Sequence, residues 1–303
     1  MLEFIFNSTF IFFLQIFKLL KDYYYYYSMT NMPSDSPVVL ATTFNINNVS
    51  FKEPRKNSVG GQSVLLNYYN ENTRKHGPLL LQTPKMRMPF GPDISVGENG
   101  SKRFSVNTSL ALDDSPNNNL KQFTEIIRVL DEFTKNFAAE NSELWFGKKQ
   151  RLEVIEEFYK SAEKKPKSNK YASTLKLKLP VKVTGTPESP KLIPQFDIYD
   201  DSKEKINVVV EHDIDLSCLE KGSDVVGLIQ CTGVWFVGKT QLGLGWKVVQ
   251  LKTFKTQKIV GYSIVDDEEV EEEEGEGEKD APRTARVVDV RAGPPGRVAD
   301  RVE

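Results

Sequence analysis

Along the middle of the chain the spacing of apolar residues changes period. KRFSVNTSLALDD (102–114) puts Phe104, Val106, Thr108, Leu110 and Leu112 on one side of an extended chain, the mark of a half-buried strand. After it, Leu120, Phe123, Ile127, Leu130, Phe133/Thr134 and Phe137 recur at three and four. That spacing predicts an amphipathic helix of about five turns, with Asn117 to Asn119 offering an N-cap. Leu152, Ile155 and Phe158/Tyr159 mark a second, shorter helix beyond Gly147, so a helical pair is expected over about 117–162, packed on a sheet.

Period two then returns. In STLKLKLP, Leu175, Leu177 and Leu179 share one face and Lys176 and Lys178 the other. QFDIY (195–199), INVVVEHDI (206–214), DVVGLIQCTGVWFVG (224–238) and LGLGWKVVQLKTF (242–254) read as further strands. Upstream, PVVLATTFNINNVSF (37–51) predicts a first strand, and the Asn/Ser/Gly-rich text up to about residue 77 a long surface loop. LLLQTPKMRMPFG (79–91) predicts a strand entering a proline-punctuated bend. Strands, a helical insertion and more strands make an α+β or mainly β domain; the absence of βαβ alternation argues against a doubly wound sheet.

The last two strands form a hairpin holding two of the three tryptophans. If its turn is Gly238–Lys239–Thr240–Gln241, Val237 faces Leu242, Trp235 opposes Leu244 and Trp246 opposes Gly233. Both indoles then lie on one face beside Gly233 and Gly245, with Lys247 pointing away. A turn of odd length would divide them between faces.

Charge sharpens this picture. The total is only −2, but residues 47–262 carry 32 Lys/Arg against 25 Asp/Glu, while residues 263–303 carry six against 14. A basic body joined to an acidic tail points to a polyanionic partner and a tail able to compete for its groove. DDEEVEEEEGEGEKD (266–280) has no apolar face to bury and is expected to be disordered. At the other end, the apolar run Leu2–Leu20 is long enough to consider as a membrane helix. Its basic residues follow rather than lead it, unlike a signal peptide, and the five tyrosines after it resemble a translated A/T-rich repeat, with Met29 or Met32 as the true start. The composition favours the second reading. The chain thus divides into a hydrophobic, Tyr-rich extension (1–31), a body (32–262) and a tail (263–303).

Enzymatic signatures are thin. There is no phosphate loop, His-Glu helix pair or nucleophile elbow; VGKT (237–240) falls in a hairpin turn. Two cysteines and two histidines make neither a disulfide framework nor a zinc site. The expectation is a non-enzymatic protein without cofactor or metal. An isolated lysine ordinarily marks a solvated face, and a lone tryptophan more often core than platform; Trp145 reads as a helix-end anchor. Here basic and aromatic residues interleave: Lys85 and Arg87 with Phe90, Lys167 and Lys170 with Tyr171, Lys247 and Lys252 with Trp246 and Phe254. With Lys176, Lys178 and Trp235 these form the candidate contact set for a single strand, in which cations follow phosphates and rings stack bases.

LLLQTPKMRMPFG, the helix ending in NSELWFGKK, STLKLKLP, and GLIQCTGVWFVGKTQLGLGWKVVQLK together resemble the single-stranded-DNA-binding proteins of large nucleocytoplasmic DNA viruses. The resemblance covers roughly 78–262 plus the acidic run. It implies an OB-like antiparallel barrel carrying a two-helix insertion, with strand 175–179 and the tryptophan hairpin facing the groove. It also implies sequence-tolerant coating of unwound DNA in replication, recombination or repair, inside the cell in host cytoplasm or nucleus. Replication proteins would be recruited through the acidic tail; RNA is the alternative polymer, and a homo-oligomer is compatible. The hydrophobic start and the Gly/Pro/Arg-rich end depart from the pattern. The competing class is a non-enzymatic scaffold of a virion or membrane-associated viral factory, in which residues 1–20 are a genuine membrane anchor.

Overall fold

The computed structural model describes residues 36–56, 61–97, 100–111, 116–168, 170–186, 189–238 and 240–254. The expectations for 1–31, 263–303 and Leu112 lie outside the described residues.

Thirteen strands among the described residues form the main sheet. They are β1 (Val38–Val39), β2 (Arg55–Lys56), β3 (Gln62–Val64), β4 (Leu80–Gln82), β5 (Met86–Arg87), β6 (Asp93–Val96), β7 (Lys102–Ser109), β8 (Glu163–Lys164) and β9 (Thr174–Leu179). β10 (Asp197–Tyr199), β11 (Lys205–Ile206), β12 (Asp224–Val237) and β13 (Gln241–Phe254) complete it. The main path runs β1-β4-β12-β13-β9-β7-β6 and has two ends, so the expected closed barrel is not formed among the described residues. Nor is it wholly antiparallel: β1–β4, β9–β13 and β10–β13 pair in parallel.

Between β7 and β8 come helices α1 (Asn118–Glu140), α2 (Ser142–Phe146) and α3 (Leu152–Phe158). Asn117 caps α1 by accepting from the Leu120 N–H at 3.1 Å, satisfying one of the free donors of the first turn. The apolar stripe is as expected: Phe123, Ile127, Leu130 and Thr134 are buried. Trp145 does anchor a helix end. It packs 5.6 Å from Phe51, 5.7 Å from Phe137 and, edge-on, 5.8 Å from Phe236 at the hairpin tip. Each such ring pair adds about 0.5–1.5 kcal/mol beyond its buried area.

Two upstream expectations are corrected. Residues 37–51 are not one strand. After β1 the chain makes a short 3-10 turn at Ile46–Asn48, capped by the Asn45 side chain, before pairing again at Val49–Phe51. The supposed loop holds ordered strands, because Leu66, Tyr68 and Asn70 alternate as buried positions in Leu66–Asn70. That strand joins Val49–Phe51 and Lys75–Gly77 in a small separate sheet.

Candidate nucleic-acid interface

Which side chains share a face is decided by register. β12 and β13 are joined by three residues rather than four, since Val237 pairs with Gln241. Trp235 therefore stands opposite Gly243, not Leu244, and a register shift between Cys231 and Gly233 puts Trp246 opposite Cys231, not Gly233. An odd turn flips one strand's pattern, so the indoles lie on opposite faces. Leu242, Leu244, Trp246 and Val248 point into the core, and Trp246 is 2% exposed. It is not the surface platform expected of it. Lys247, expected to point away from the rings, lies on the outer face with Trp235.

β9 delivers the predicted division: Leu175, Leu177 and Leu179 are buried, while Lys176 is half-buried and Lys178 exposed. Lys178 pairs with Lys247, so Lys176, Lys178, Lys247 and Trp235 all belong to the outer face. Beyond the irregularity near Leu228/Ile229, the core positions of β13 become Leu251 and Thr253. Lys252 and Phe254 then continue the outer stripe. Lys85 and Lys252 sit over the Phe254 ring, 4.4 and 5.1 Å from its centre, and Lys85 pairs with Asp224 at 3.4 Å. Arg87, exposed, is across from Asp224 on β5. From Gly243 to Phe254 the stripe follows about 36 Å of strand.

Three predicted residues lie apart from it. Phe90, 57% exposed, is in the bend after β5; Lys170 and Tyr171, the latter 70% exposed, are in the turn before β9. Among the described residues none makes an ion pair or ring contact with the stripe. The aromatic partner of Lys85 is Phe254, not Phe90.

At the Trp235 end the sheet opens. β9 and β13 are joined by the single rung Lys178–Lys247, and toward their starts they separate. Residues 159–164 strap the opening: Tyr159 bridges to Leu242, and Glu163 and Lys164 pair with Leu175 and Thr174. Between them lies a partly open cavity of about 450 Å³. Leu175, Leu244 and Trp246 line it from the core side, with Trp235 and Gly245 alongside. Lys160 and Lys164 of the strap and Lys176 and Lys178 of β9 supply its charge. Pattern alone did not reveal Lys160, Lys164 or the strap, because nothing in their spacing says that residues 159–164 cross between two distant strands.

Two buried carboxylates hold the strap. Asp131 of α1 accepts from Tyr159 Oη and Ser161 Oγ at 2.6 Å each and from the Ala162 N–H at 2.9 Å. Desolvation nevertheless raises its pKa above the ordinary carboxylate value. Glu163 accepts two bonds from the Arg128 guanidinium, at 2.9 and 3.0 Å, and one from Ser173 Oγ at 2.6 Å. Arg128 first holds its pKa down, helped by Ser173.

Trp235 is half-buried and donates its indole N–H to the Leu244 carbonyl at 3.3 Å. Its ring lies on glycine: a Cβ at Gly243 would come 2.9 Å from Trp235 Cζ2 and 2.5 Å from the Lys160 carbonyl oxygen. Lys176 is paired with Asp93 at 2.7 Å, and that bond draws the Asp93 pKa down. Lys178 has no such partner among the described residues. It is exposed as a whole, yet desolvation first, then the Arg103 and Lys176 charges, pull its ammonium below the usual lysine range. The exposure keeps that effect modest. Among the described residues no group of His, Cys, Asp or Glu is arranged to hold a metal, and no helix is long and apolar enough to cross a membrane. Burial pushes the Cys231 thiol up to about 12, leaving it unreactive.

No family model matches the chain, and no curated relative does. Among solved structures it is similar to gp2.5, a single-stranded DNA binding protein encoded by bacteriophage T7. The TM-score is 0.39 and the identity 11%, over 61% of this chain and 91% of that one. It is also similar to the single-stranded DNA-binding protein from bacteriophage Enc34, with a TM-score of 0.30 and 12% identity over 72% and 96% of the two chains. For the Enc34 protein in complex with ssDNA the values are 0.31 and 11%, over 69% and 98%.

Proposed function

We propose that this chain is a non-enzymatic protein that binds single-stranded nucleic acid, DNA in the first place and RNA as the alternative, along the outer stripe of β13. The observation that carries the reading is the convergence of Trp235, Lys176, Lys178 and Lys247 on one sheet face beside a cation-rimmed cavity. A cationic track with a flat ring lets phosphates set affinity while bases stack without being read, which makes binding sequence-tolerant. Lys85, Arg87, Lys252 and Phe254 extend the track, while Phe90, Lys170 and Tyr171 lie apart from it.

The motif resemblance to the proteins of large nucleocytoplasmic DNA viruses carries the finer reading. The chain would coat unwound DNA during replication, recombination or repair in host cytoplasm or nucleus, with the acidic tail drawing in replication proteins and like chains associating along the strand. Titration of the full chain with a labelled oligonucleotide tests the binding itself. Tryptophan emission is quenched on binding, and affinity falls with salt at a log–log slope of about −0.7 per phosphate contacted. Absent or salt-insensitive binding removes the reading.

A further inference from the structure

We infer that the cavity between β9 and β13 is a pocket for one nucleobase, so that a bound strand turns a single base inward while its neighbours lie along the outer stripe; this rests on the single-strand reading above. A stacking surface needs no hole in the sheet, yet here the sheet is opened and the opening held. Asp131 and Glu163 fix both ends of the strap through hydrogen bonds of 2.6–3.0 Å. The cavity, about 450 Å³, falls within the roughly 300–1,000 Å³ of small-ligand sites.

Its chemistry is graded with depth. The inner wall is apolar, from Leu175, Leu244 and Trp246, and suits the faces of a planar heterocycle. The outer wall carries lysines on two sides, from the strap and from β9, placed for the phosphates before and after an inserted base. Trp235, its own N–H already used, offers only its ring. A paired base cannot enter such a pocket, so the cavity also selects single strands over duplex.

The test uses the full chain and the shortest oligonucleotide that saturates it one to one, with an abasic residue placed at each position in turn. Removing a base leaves every phosphate in place. The expected result is one position at which affinity falls about tenfold, the others changing less than about twofold. A uniform small loss at all positions overturns the pocket while leaving strand binding intact. Failure of the unmodified strand to bind removes the function reading beneath it as well. In a second arm, Ala162→Phe fills the cavity without removing a lysine; with its fold verified by circular dichroism, this variant loses the position effect. Its persistence in that variant places the base elsewhere and overturns the inference.

Discussion

Lys178 and Lys247 face each other across the single rung that joins β9 to β13. Like charges opposite one another on a sheet are unfavourable, and desolvation and neighbouring cations already depress the Lys178 pKa. A lysine whose folded pKa is depressed stabilises the fold only above its ordinary value of 10.5 and opposes it once charged at lower pH. Lys178→Met therefore leaves thermal stability at pH 7 unchanged or higher, while oligonucleotide affinity falls about three- to tenfold at low salt and the gap narrows as salt is added. Thermal melts and titrations at two ionic strengths check both halves.

The two indoles of the hairpin divide between the core and the outer face. Trp246→Ala empties a core site and costs about 3–5 kcal/mol in denaturant unfolding. Trp235→Ala costs less stability but weakens strand binding by about 1–3 kcal/mol through the lost stack. A loss of stability from Trp235→Ala as large as that from Trp246→Ala contradicts the assignment of faces.

The two carboxylates of the strap respond to pH in opposite senses. Glu163, with its pKa lowered chiefly by Arg128, gives stability in full above its ordinary 4.5, and that stability is lost as pH falls through the lower folded value. Asp131, its pKa raised by desolvation, does the reverse: its contribution is full below 3.8 and is lost as pH rises through the folded value. Glu163→Gln accordingly flattens the loss of stability below pH 4.5 in urea unfolding series. Asp131→Ala strands three donors and costs about 2–4 kcal/mol at pH 7, with strand affinity falling as the strap loosens.

Gly243 allows Trp235 and the strap to meet. Gly243→Ala puts a methyl group 2.5 Å from the Lys160 carbonyl oxygen and 2.9 Å from the Trp235 ring, at a cost of about 1–3 kcal/mol and a loss of strand affinity. Gly77→Ala, with nothing within 4 Å of the added carbon, is the control that leaves binding unchanged.

Where one period dominates a segment, the chain announces its structure. The stripe of α1, its Asn117 cap and the leucine and lysine faces of β9 were legible because each depends on neighbours within a few residues. The alternation of Leu66, Tyr68 and Asn70 was present too, but the surrounding Asn, Ser and Gly masked a short strand in what reads as a loop.

The hairpin shows where such reading stops. Trp235 and Trp246 are eleven residues apart whatever the turn, yet a three-residue connection in place of four sends them to opposite faces. Phe254 carries Lys85, from far upstream, as well as the expected Lys252, and the Lys85–Phe90 pairing did not form.

By itself, then, the order of residues determined the α+β character, the helix and its buried face, the division of lysine from leucine on β9, and a basic body beside an acidic tail. These follow from local spacing, which side chains obey wherever the segment finally packs. Only the tertiary structure decided that β9 and β13 meet at one rung and then part, and that a strap pinned by α1 crosses the opening. The reason is that strand pairing and register are set by contacts between segments far apart in the chain, whose energies appear only once both are in place.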